Sequence, residues 1–470
     1  MSNATNISNQ HAIVIGGSMA GLLAARVLSD HFARITIIER DCLPIAPEFR
    51  HGTPQARHVH VLMQQGQRIL GQLFPGLIQE LEAHGAVYTD VTSDMLWLNP
   101  AGWTPRHVSG LEMLCASRTL IEWGVRQRLM NIQNVFVCAE TDVQGLLTSE
   151  DKAMVTGVQI QPRSQAGAGK GATQMMHADL VIDASGRNSK MPQWLTALGY
   201  QPPPESLVNA HLGYASRVYE PPTDFHGQWK AFYIQSAPPE HPRGGLIFPM
   251  EGGKWLVSTI GSGASKPPTD EAGFEAFVRS LRSPLFAQTL QKAKPLSPVY
   301  GFGSASNQWR HYERLTDRPD RLVIMGDAFC AFNPVYGQGM TIAALEAMKL
   351  GASLTEMQQR GLTGVTRTLQ RELGKLVAGP WSMATGEDCR YLDVEGVKLG
   401  RTTRIMHWYM DRIMALTTHD EEAHTLFTQV IHMVKPPTSL FHPHILWRAL
   451  WGRRVSTQMQ GPRREAMLNV

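Results

Sequence analysis

A glycine-rich turn near the N-terminus, Gly16-Gly17-Ser18-Met19-Ala20-Gly21, constrains the fold most strongly. A β-branched run over 12–15 precedes it, helical spacing over 19–28 follows it, and a second β-branched run over 35–38 completes a βαβ unit. In such a unit, the N–H groups at the start of the helix can hold a pyrophosphate. Gly16 makes the tight turn and Gly21 lets helix and sheet pack closely, while Ser18 stands where a glycine is usual.

An acidic residue follows this turn at the distance that a dinucleotide site requires. Glu39 ends the second predicted strand, and its carboxylate can accept both ribose hydroxyls of an adenosine. Arg40 beside it is a further candidate for cofactor binding. The turn and the acid together predict an adenine dinucleotide, but they do not separate FAD from NAD.

A second glycine motif, far along the chain, separates the two cofactors. A buried-strand pattern over 322–325 leads into Gly326-Asp327-Ala328, and a long helix is predicted over 340–358. An aspartate that accepts a ribityl hydroxyl, followed by a helix N-terminus facing the flavin N1–C2=O edge, would require this order of residues. The two anion sites together therefore predict an extended FAD. The cofactor-binding candidates in this motif are Asp327, Pro334, Gly337, Gly339 and Met340.

A third motif, Asp183-Ala184-Ser185-Gly186-Arg187, lies between the other two. In order and spacing the three motifs resemble the signatures of the group A flavoprotein monooxygenases, over about residues 10 to 375. The resemblance implies an NAD(P)H-using monooxygenase in which reduced flavin activates O2 at its C4a atom. It also implies that Arg118 contacts the FAD phosphate or ribityl chain and that Asp183 and Gly186 lie near the cofactor and the approach of NAD(P)H. The Ala184-Ser185 pair departs from the commonest form of this motif.

A histidine-bearing segment, Gly52-Thr-Pro-Gln-Ala-Arg57-His58-Val-His60, narrows the resemblance to a bacterial branch that includes the epoxidases of polyether biosynthesis. That branch implies an epoxidase or hydroxylase of secondary metabolism. We take His58 and His60 as catalytic candidates and Arg57 as a cofactor-binding one. Their spacing could also suit metal ligands on a strand, but no third ligand stands at a useful distance. One imidazole facing the flavin pocket and one satisfied histidine is the favoured interpretation.

The resemblance implies the α/β fold of para-hydroxybenzoate hydroxylase, with a Rossmann-like FAD-binding domain, an inserted, mainly antiparallel β-sheet substrate domain and a helical C-terminal segment. We expect the FAD-binding domain over 10–200 and 296–378, and the stretch 85–110 belongs either to it or to the substrate domain. The alternating pattern after the proline-rich boundary at 202–204 predicts the substrate domain over 201–295. The helical C-terminal segment is expected over 379–470. A Gly- and Ala-rich stretch over 165–174 predicts a hairpin loop.

Composition limits which classes of ligand and partner the chain is expected to bind. A net charge of +4, with no basic stripe, argues against nucleic acid, and the odd number of cysteines (5), none of them in C-x-x-C spacing, predicts no metal site and a reducing cytoplasm. The many Met, Trp and Phe side chains favour an apolar small-molecule substrate beside O2, although they could equally be ordinary core. A prenyl reductase of the geranylgeranyl type and a non-catalytic flavin-binding protein remain alternatives. Halogenases share the scaffold, but their W-x-W-x-x-P signature is absent. Oligomeric state stays open.

The C-terminal segment carries one further pattern. Trp447, Leu450 and Trp451 fall at helical spacing, and Arg448, Arg453 and Arg454 supply positive charge. Interfacial helices show this pattern, so peripheral membrane contact is one interpretation. A terminal helix packed on the substrate domain is favoured over it, and a dimer contact is the third possibility.

Overall fold

The computed structural model describes residues 10–163, 171–303, 306–397 and 400–451. In chain order the strands are β1 (His11–Ile15), β2 (Arg34–Ile38), β3 (Val61–Leu62), β4 (Val87–Asp90), β5 (Met95–Asn99), β6 (Gly102–Trp103), β7 (Glu112–Cys115), β8 (Val135–Cys138), β9 (Thr141–Thr148), β10 (Val155–Pro162), β11 (Gln174–His177), β12 (Leu180–Asp183), β13 (Glu205–Val208), β14 (Leu212–Glu220), β15 (Ala231–Ile234), β16 (Gly244–Met250), β17 (Lys254–Ser262), β18 (Lys294–Pro295), β19 (Tyr300–Phe302), β20 (Asn307–Arg310), β21 (Leu322–Ile324) and β22 (Cys330–Ala331). The helices are α1 (Met19–Leu28), α2 (Gln64–Leu73), α3 (Leu77–Ala83), α4 (Arg118–Met130), α5 (Met191–Leu198), α6 (Glu271–Arg279), α7 (Pro284–Gln291), α8 (Gly339–Arg360), α9 (Val365–Asp388), α10 (Arg401–Leu416), α11 (Glu421–Ile431) and α12 (Pro443–Trp451).

A five-stranded parallel sheet, in the order β21-β12-β1-β2-β8, forms the first layer. Its central strands are continuous apolar runs because helices cover the sheet, so both sides of each strand are buried. Helix α1 packs against α4 and α8, and α8 packs against α9. The predicted βαβ unit and α/β class are confirmed.

The register of this sheet brings the three sequence motifs to one edge. Ile15 pairs with Asp183, and Asp183 pairs with Ile324. Because the strands are parallel, their carboxyl ends meet at this edge, and each strand is followed there by its motif. Motifs that lie more than a hundred residues apart in sequence are thus assembled by strand order alone.

A second, eight-stranded sheet follows the order β18-β14-β17-β16-β15-β5-β6, with β19 also paired to β14. Its neighbours are antiparallel except for β5 and β15, so the predicted mainly antiparallel character is confirmed. Strands β5 and β6 come from residues before α4, which places part of the stretch 85–110 in this sheet. The domain boundaries themselves stay a prediction.

Strand β14 is buried along nearly its whole length because both faces of the sheet are covered. Ala215 and Tyr219 join a core with α6 and α7, whereas Leu212 and Tyr214 join a cluster that contacts Val335 and Tyr391. One face of the sheet therefore packs on helices of the same domain. The other face is turned to the second glycine motif and to the segment after α9.

The C-terminal helices α10, α11 and α12 pack on one another and on the second sheet through Trp97, Phe248 and Tyr409. In the described part of the chain, no helix is both long and apolar enough to span a bilayer. The predicted loop over 165–174 lies mostly outside the described residues, between the antiparallel strands β10 and β11.

Candidate functional site

The first glycine turn is held against the parallel sheet by close backbone contacts. Gly16 has a φ of +103°, and a Cβ there would lie 2.5 Å from the carbonyl oxygen of Ala184. A Cβ on Gly21 would lie 1.8 Å from the carbonyl oxygen of Gly16. Only glycine fits at either position, so the turn can bring its N–H groups close to a ligand. Met19 and Ala20 form the first turn of α1.

Ser18 is the N-cap residue of α1, but its side chain makes no capping hydrogen bond. Its hydroxyl instead donates to a carboxylate oxygen of Glu122 at 2.7 Å and accepts from Arg118 Nη2 at 2.7 Å. The N–H groups of the helix start are consequently left for a ligand. Arg118, which is buried at the start of α4, therefore lies at the phosphate end of this turn, where the family resemblance implies a cofactor contact.

Glu39 is buried at the end of β2 and is fixed by two backbone groups. One carboxylate oxygen accepts from Gly17 N at 2.7 Å, and the other accepts from Asp41 N at 2.9 Å. This places the acid beside the glycine turn, as an adenosine-binding carboxylate requires. Arg40, by contrast, is exposed and lies 3.8 Å from Asp41.

Arg50 joins these acids into one buried ion cluster, which the sequence reasoning missed. Its guanidinium lies 2.9 Å from Asp41, 2.8 Å from Glu122 and 3.6 Å from Glu39. Burial alone would raise the pKa of Glu122, but Arg118 and Arg50 outweigh it and lower that pKa to about 2. The cluster therefore keeps Glu122 ionised and holds two guanidinium groups beside the glycine turn.

The second glycine motif meets the first directly. Gly326 has a φ of +59°, and a Cβ there would lie 2.6 Å from Ala20 Cβ, so this turn packs on the start of α1. Asp327 follows it with its side chain exposed, and no side-chain hydrogen bond to it occurs within the described ranges. The surrounding protein raises the pKa of Asp327, while Arg187 and Arg118 oppose that rise. An exposed carboxylate that accepts no hydrogen bond within the described ranges is free to accept one from a ligand hydroxyl.

The start of α8 supplies the other half of this site. Gly337 is left-handed, with a φ of +65°, and ends a short 3-10 turn over Pro334–Tyr336. Gly339 is the first residue of α8, and nothing lies within 4 Å of the position where its Cβ would stand. Pro334 is exposed, whereas Met340 is buried under the helix. The N-terminus of this long helix is thus open to a ligand.

These features fit FAD. Glycine turns, an unpartnered carboxylate and an open helix N-terminus all lie at one edge of the parallel sheet, which suits a long anionic dinucleotide with a polar ribityl chain. Glu39 and Arg118 would hold its adenosine and phosphate end, and Asp327 and Gly339 its ribityl and flavin end. When bound, FAD supplies the redox centre at which O2 is activated.

The third motif lies at the same edge of the parallel sheet and is held there by its own hydrogen bonds. Asp183 is fully buried and accepts from the hydroxyls of Ser185 at 2.6 Å and Ser189 at 2.5 Å, while its burial raises its pKa. Gly186 has a φ of +85° with open space beside it, and Arg187 donates to the carbonyl oxygen of Phe332 at 3.1 Å. Asp183 therefore organises its own turn, and Arg187 ties that turn to the residue before Asn333.

His58 and His60 point to different surroundings. His58 Nδ1 lies 2.7 Å from the hydroxyl of Ser216, and its ring contacts Tyr214 and Phe302 on the second sheet. His60 Nδ1 lies 2.8 Å from the carbonyl oxygen of His58. Burial lowers the pKa of His58 to about 4, and burial together with Arg118 lowers that of His60 to about 3. Both imidazoles are neutral at pH 7, so neither is a cationic acid there.

The remaining candidate, Arg57, is exposed, and its guanidinium lies between the rings of Phe49 at 4.1 Å and Tyr300 at 4.3 Å. It bridges the segment before β3 to the second sheet. In the described ranges no group of three or more His, Cys, Asp or Glu side chains is placed to hold a metal ion.

Buried acids near the second motif were also missed by the sequence reasoning. Glu346 accepts from Gly326 N at 2.7 Å, and burial raises its pKa to about 8. Asp388 accepts from Tyr336 and Asn307, each at 2.6 Å, and burial raises its pKa to about 7. Glu346 carried a sequence signal, an acid inside an otherwise apolar helical pattern, whereas Asp388 carried none.

Comparison with known proteins gives a family. The model of a family described as "FAD binding domain" matches residues 9–366. "Protein Rv3254" of Mycobacterium tuberculosis is 32% identical over 381 residues, covering 79% of each chain. The kynurenine 3-monooxygenase of Salinispora tropica is 24% identical over 398 residues, covering 82% of this chain and 81% of that one. The solved structure of the flavin-dependent brominase Bmp2 has a TM-score of 0.66 at 12% identity, covering 93% of this chain and 98% of that one, a likeness that shows the fold alone.

Proposed function

The chain belongs to the family of FAD binding domains and is a FAD-dependent monooxygenase, and we propose that it oxygenates a bulky, largely apolar small molecule. The observation that carries the proposal is the apolar cluster on the flavin side of the second sheet. Leu212, Tyr214 and Ile260 form it, with Phe302 and Val335 packed against them. Val335 belongs to the turn before α8, so this buried apolar cluster adjoins the place where we put the flavin end of the cofactor.

The side chains linked to His58 by hydrogen bonds beside this cluster are uncharged hydroxyls. His58 bonds to Ser216, whose hydroxyl bonds in turn to that of Ser258. The low pKa of His58 keeps its imidazole uncharged at pH 7, so it can accept or donate a hydrogen bond without adding charge. We propose that His58 orients the substrate and that His60, beside Arg118, belongs to the cofactor side. Epoxidation of an alkene needs no substrate base, whereas ortho-hydroxylation of a phenol gains from one. We propose epoxidation or hydroxylation in secondary metabolism, with NAD(P)H as the reductant.

A paired-substrate assay tests this proposal. Holoenzyme with FAD, NADPH or NADH, and O2 is given bulky apolar alkenes and phenols, each paired with an analogue that carries a carboxylate. Because burying an unpaired charge in the apolar cluster is costly, we expect the uncharged member of a pair to stimulate NAD(P)H oxidation about tenfold more than its partner. Hydrogen peroxide, measured in parallel, reports oxygen that did not reach a substrate. A consistent preference for the carboxylated members would contradict an apolar site.

A monooxygenase and a prenyl reductase differ in their need for oxygen, and the same assay separates these two classes of enzyme. Under argon, a monooxygenase gives no product, whereas a reductase gives a saturated product at an undiminished rate. A saturated product without O2 would replace the proposed activity with reduction.

We also propose that the C-terminal helices touch an anionic membrane surface. Trp447 and Trp451 on α12 are 63% and 69% exposed, and Trp408 on α10 is 50% exposed. Exposed Arg401 and Arg404 on α10 add positive charge that complements anionic lipid. Two residues of the pattern predicted for this segment are not available to a membrane. Leu450 is half-buried against the C-terminal core, and Arg448 is paired with Asp420 and Glu422. Arg453 and Arg454 lie outside the described residues.

Vesicle flotation tests this contact. We expect the full chain to float with vesicles rich in anionic lipid and the triple variant Trp408→Ala, Trp447→Ala, Trp451→Ala to lose about tenfold of that binding, because aromatic side chains anchor interfacial helices. Met175→Ala, which removes another large exposed side chain on β11, is the control and should float as the wild type does. If the triple variant floats as well as the wild type, or if the wild type does not float, the proposed membrane contact is wrong.

A further inference from the structure

Asp388 is the last residue of α9 and lies beyond the residues 9–366 that match the family model. It is fully buried. The hydroxyl of Tyr336 and the amide of Asn307 each donate to it at 2.6 Å, and the amide of Asn333 approaches it at 3.4 Å. A carboxyl group at the C-terminal end of a helix is opposed by the helix dipole. Burying it there costs stability, so these donors are what hold it.

Two of the donors, Asn333 and Tyr336, belong to the turn that precedes α8. The side-chain oxygen of Asn333 accepts from Val335 N at 3.2 Å and caps the 3-10 turn, and it also accepts from the hydroxyl of Tyr214. The backbone N–H of Asn333 donates to Asn307 at 2.8 Å. Asp388 thus links the turn to β20 and to the end of α9, while Asn333 links it to β14 through Tyr214.

The turn leads straight into the open N-terminus of α8. Gly337 and Gly339 have no side chain to anchor the backbone, and Gly337 is left-handed. The path of the backbone into the first turn of α8 is therefore set in part by the residues before Gly337, beside the packing of α8 itself on α1 and α9. Among those, Asn333 and Tyr336 are the ones bound to Asp388.

We propose that Asp388 is a positioning residue that orients the turn over 333–337, so that α8 presents its N–H groups to the isoalloxazine edge of FAD. The C-terminal helical segment then controls the flavin end of the cofactor, while the adenosine end depends on Glu39 and Arg118. A helix N-terminus aimed at the flavin stabilises the negative charge of its reduced form. Loss of Asp388 should thus affect the affinity for FAD and its reduction potential, but not the affinity for the adenosine half.

The test compares FAD with ADP, which occupies only the adenosine half. For Asp388→Asn, we expect the Kd for FAD to rise about tenfold, as the loss of one or two hydrogen bonds implies, with the Kd for ADP unchanged. The reduction potential of bound FAD should become more negative. Tyr336→Phe, which removes one donor and keeps the ring, should shift both quantities in the same direction by less. If the two substitutions act through one contact, their combined effect will be smaller than the sum.

The matched control is Asp411→Asn, which removes a carboxylate of the same C-terminal segment that is 60% exposed and paired with Arg390. It should leave both affinities and the potential unchanged. Parallel loss of FAD and ADP binding together with a lower Tm in both Asp388→Asn and Tyr336→Phe would show general support of the fold and overturn the proposal. Unchanged FAD binding and potential in folded variants would overturn it equally.

Discussion

Arg50→Met should lower the free energy of unfolding by about 3 to 5 kcal/mol, the usual cost of removing one partner from a buried ion cluster. Arg50 is 6% exposed and faces the carboxylates of Glu39, Asp41 and Glu122. Methionine fills a similar volume but leaves these acids with fewer cations. Urea unfolding followed by tryptophan fluorescence measures the loss.

The pH dependence of the same variant identifies the cause. In the wild type, the pKa of Glu122 is lowered to about 2, so its stabilising contribution is complete above its unfolded pKa and declines as the pH falls from there to about 2. Without Arg50 the pKa of Glu122 rises, so protonation relieves the repulsion among the buried carboxylates at a higher pH. We therefore expect the deficit of Arg50→Met to shrink as the pH is lowered from about 7 to about 4.

Arg128→Met is the control for this cluster. Arg128 lies 2.6 Å from Glu80 in the same part of the fold, but both side chains are partly exposed. Its loss should cost less than about 1 kcal/mol. A similar cost for Arg50 and Arg128, or a deficit for Arg50→Met that does not change with pH, would contradict a buried cluster beside the glycine turn.

Asp327→Ala should raise the Kd for FAD roughly tenfold to hundredfold, because it removes the charged acceptor that we expect to bond a ribityl hydroxyl. The apoprotein should not lose stability. The side chain of Asp327 is exposed and accepts no hydrogen bond within the described ranges, so alanine removes no stabilising contact. Equilibrium titration of apoprotein with FAD, beside thermal unfolding of the apoprotein, measures both effects.

The exposed Asp317 provides the matched comparison, since Asp317→Ala removes a carboxylate shortly before β21. It should leave FAD affinity unchanged. Equal FAD affinity for wild type and Asp327→Ala would mean that the second glycine motif does not face the ribityl chain.

Sequence reasoning anticipated the parts of the fold whose causes are local. The βαβ unit follows from the period of apolar residues and from the glycine turn, and α1 lies where helical spacing places it. The pairing of Ile15 with Asp183, and of Asp183 with Ile324, was implied only by the order of the motifs. Strand order is set by packing across the whole domain, which no short window of sequence records.

The electrostatic part of the site was harder to foresee. Arg50 sits in a segment without periodicity, and its partners Glu39 and Glu122 come from a strand and a helix far away. Asp388 ends α9, and its burial is visible only once α9 meets the turn before α8. Such contacts depend on tertiary placement, whereas Gly16 and Gly21 are marked by backbone requirements that the sequence itself expresses.

Isotope labelling shows directly whether this chain transfers an oxygen atom from O2 to an apolar substrate. Holoenzyme is supplied with NAD(P)H, the best uncharged substrate of the paired assay and O2 labelled with oxygen-18, and the mass of the product is measured by mass spectrometry. We expect one labelled oxygen atom in each product molecule, and none when the label is in water instead. Product that carries its new oxygen from water, or that gains no oxygen at all, would contradict it.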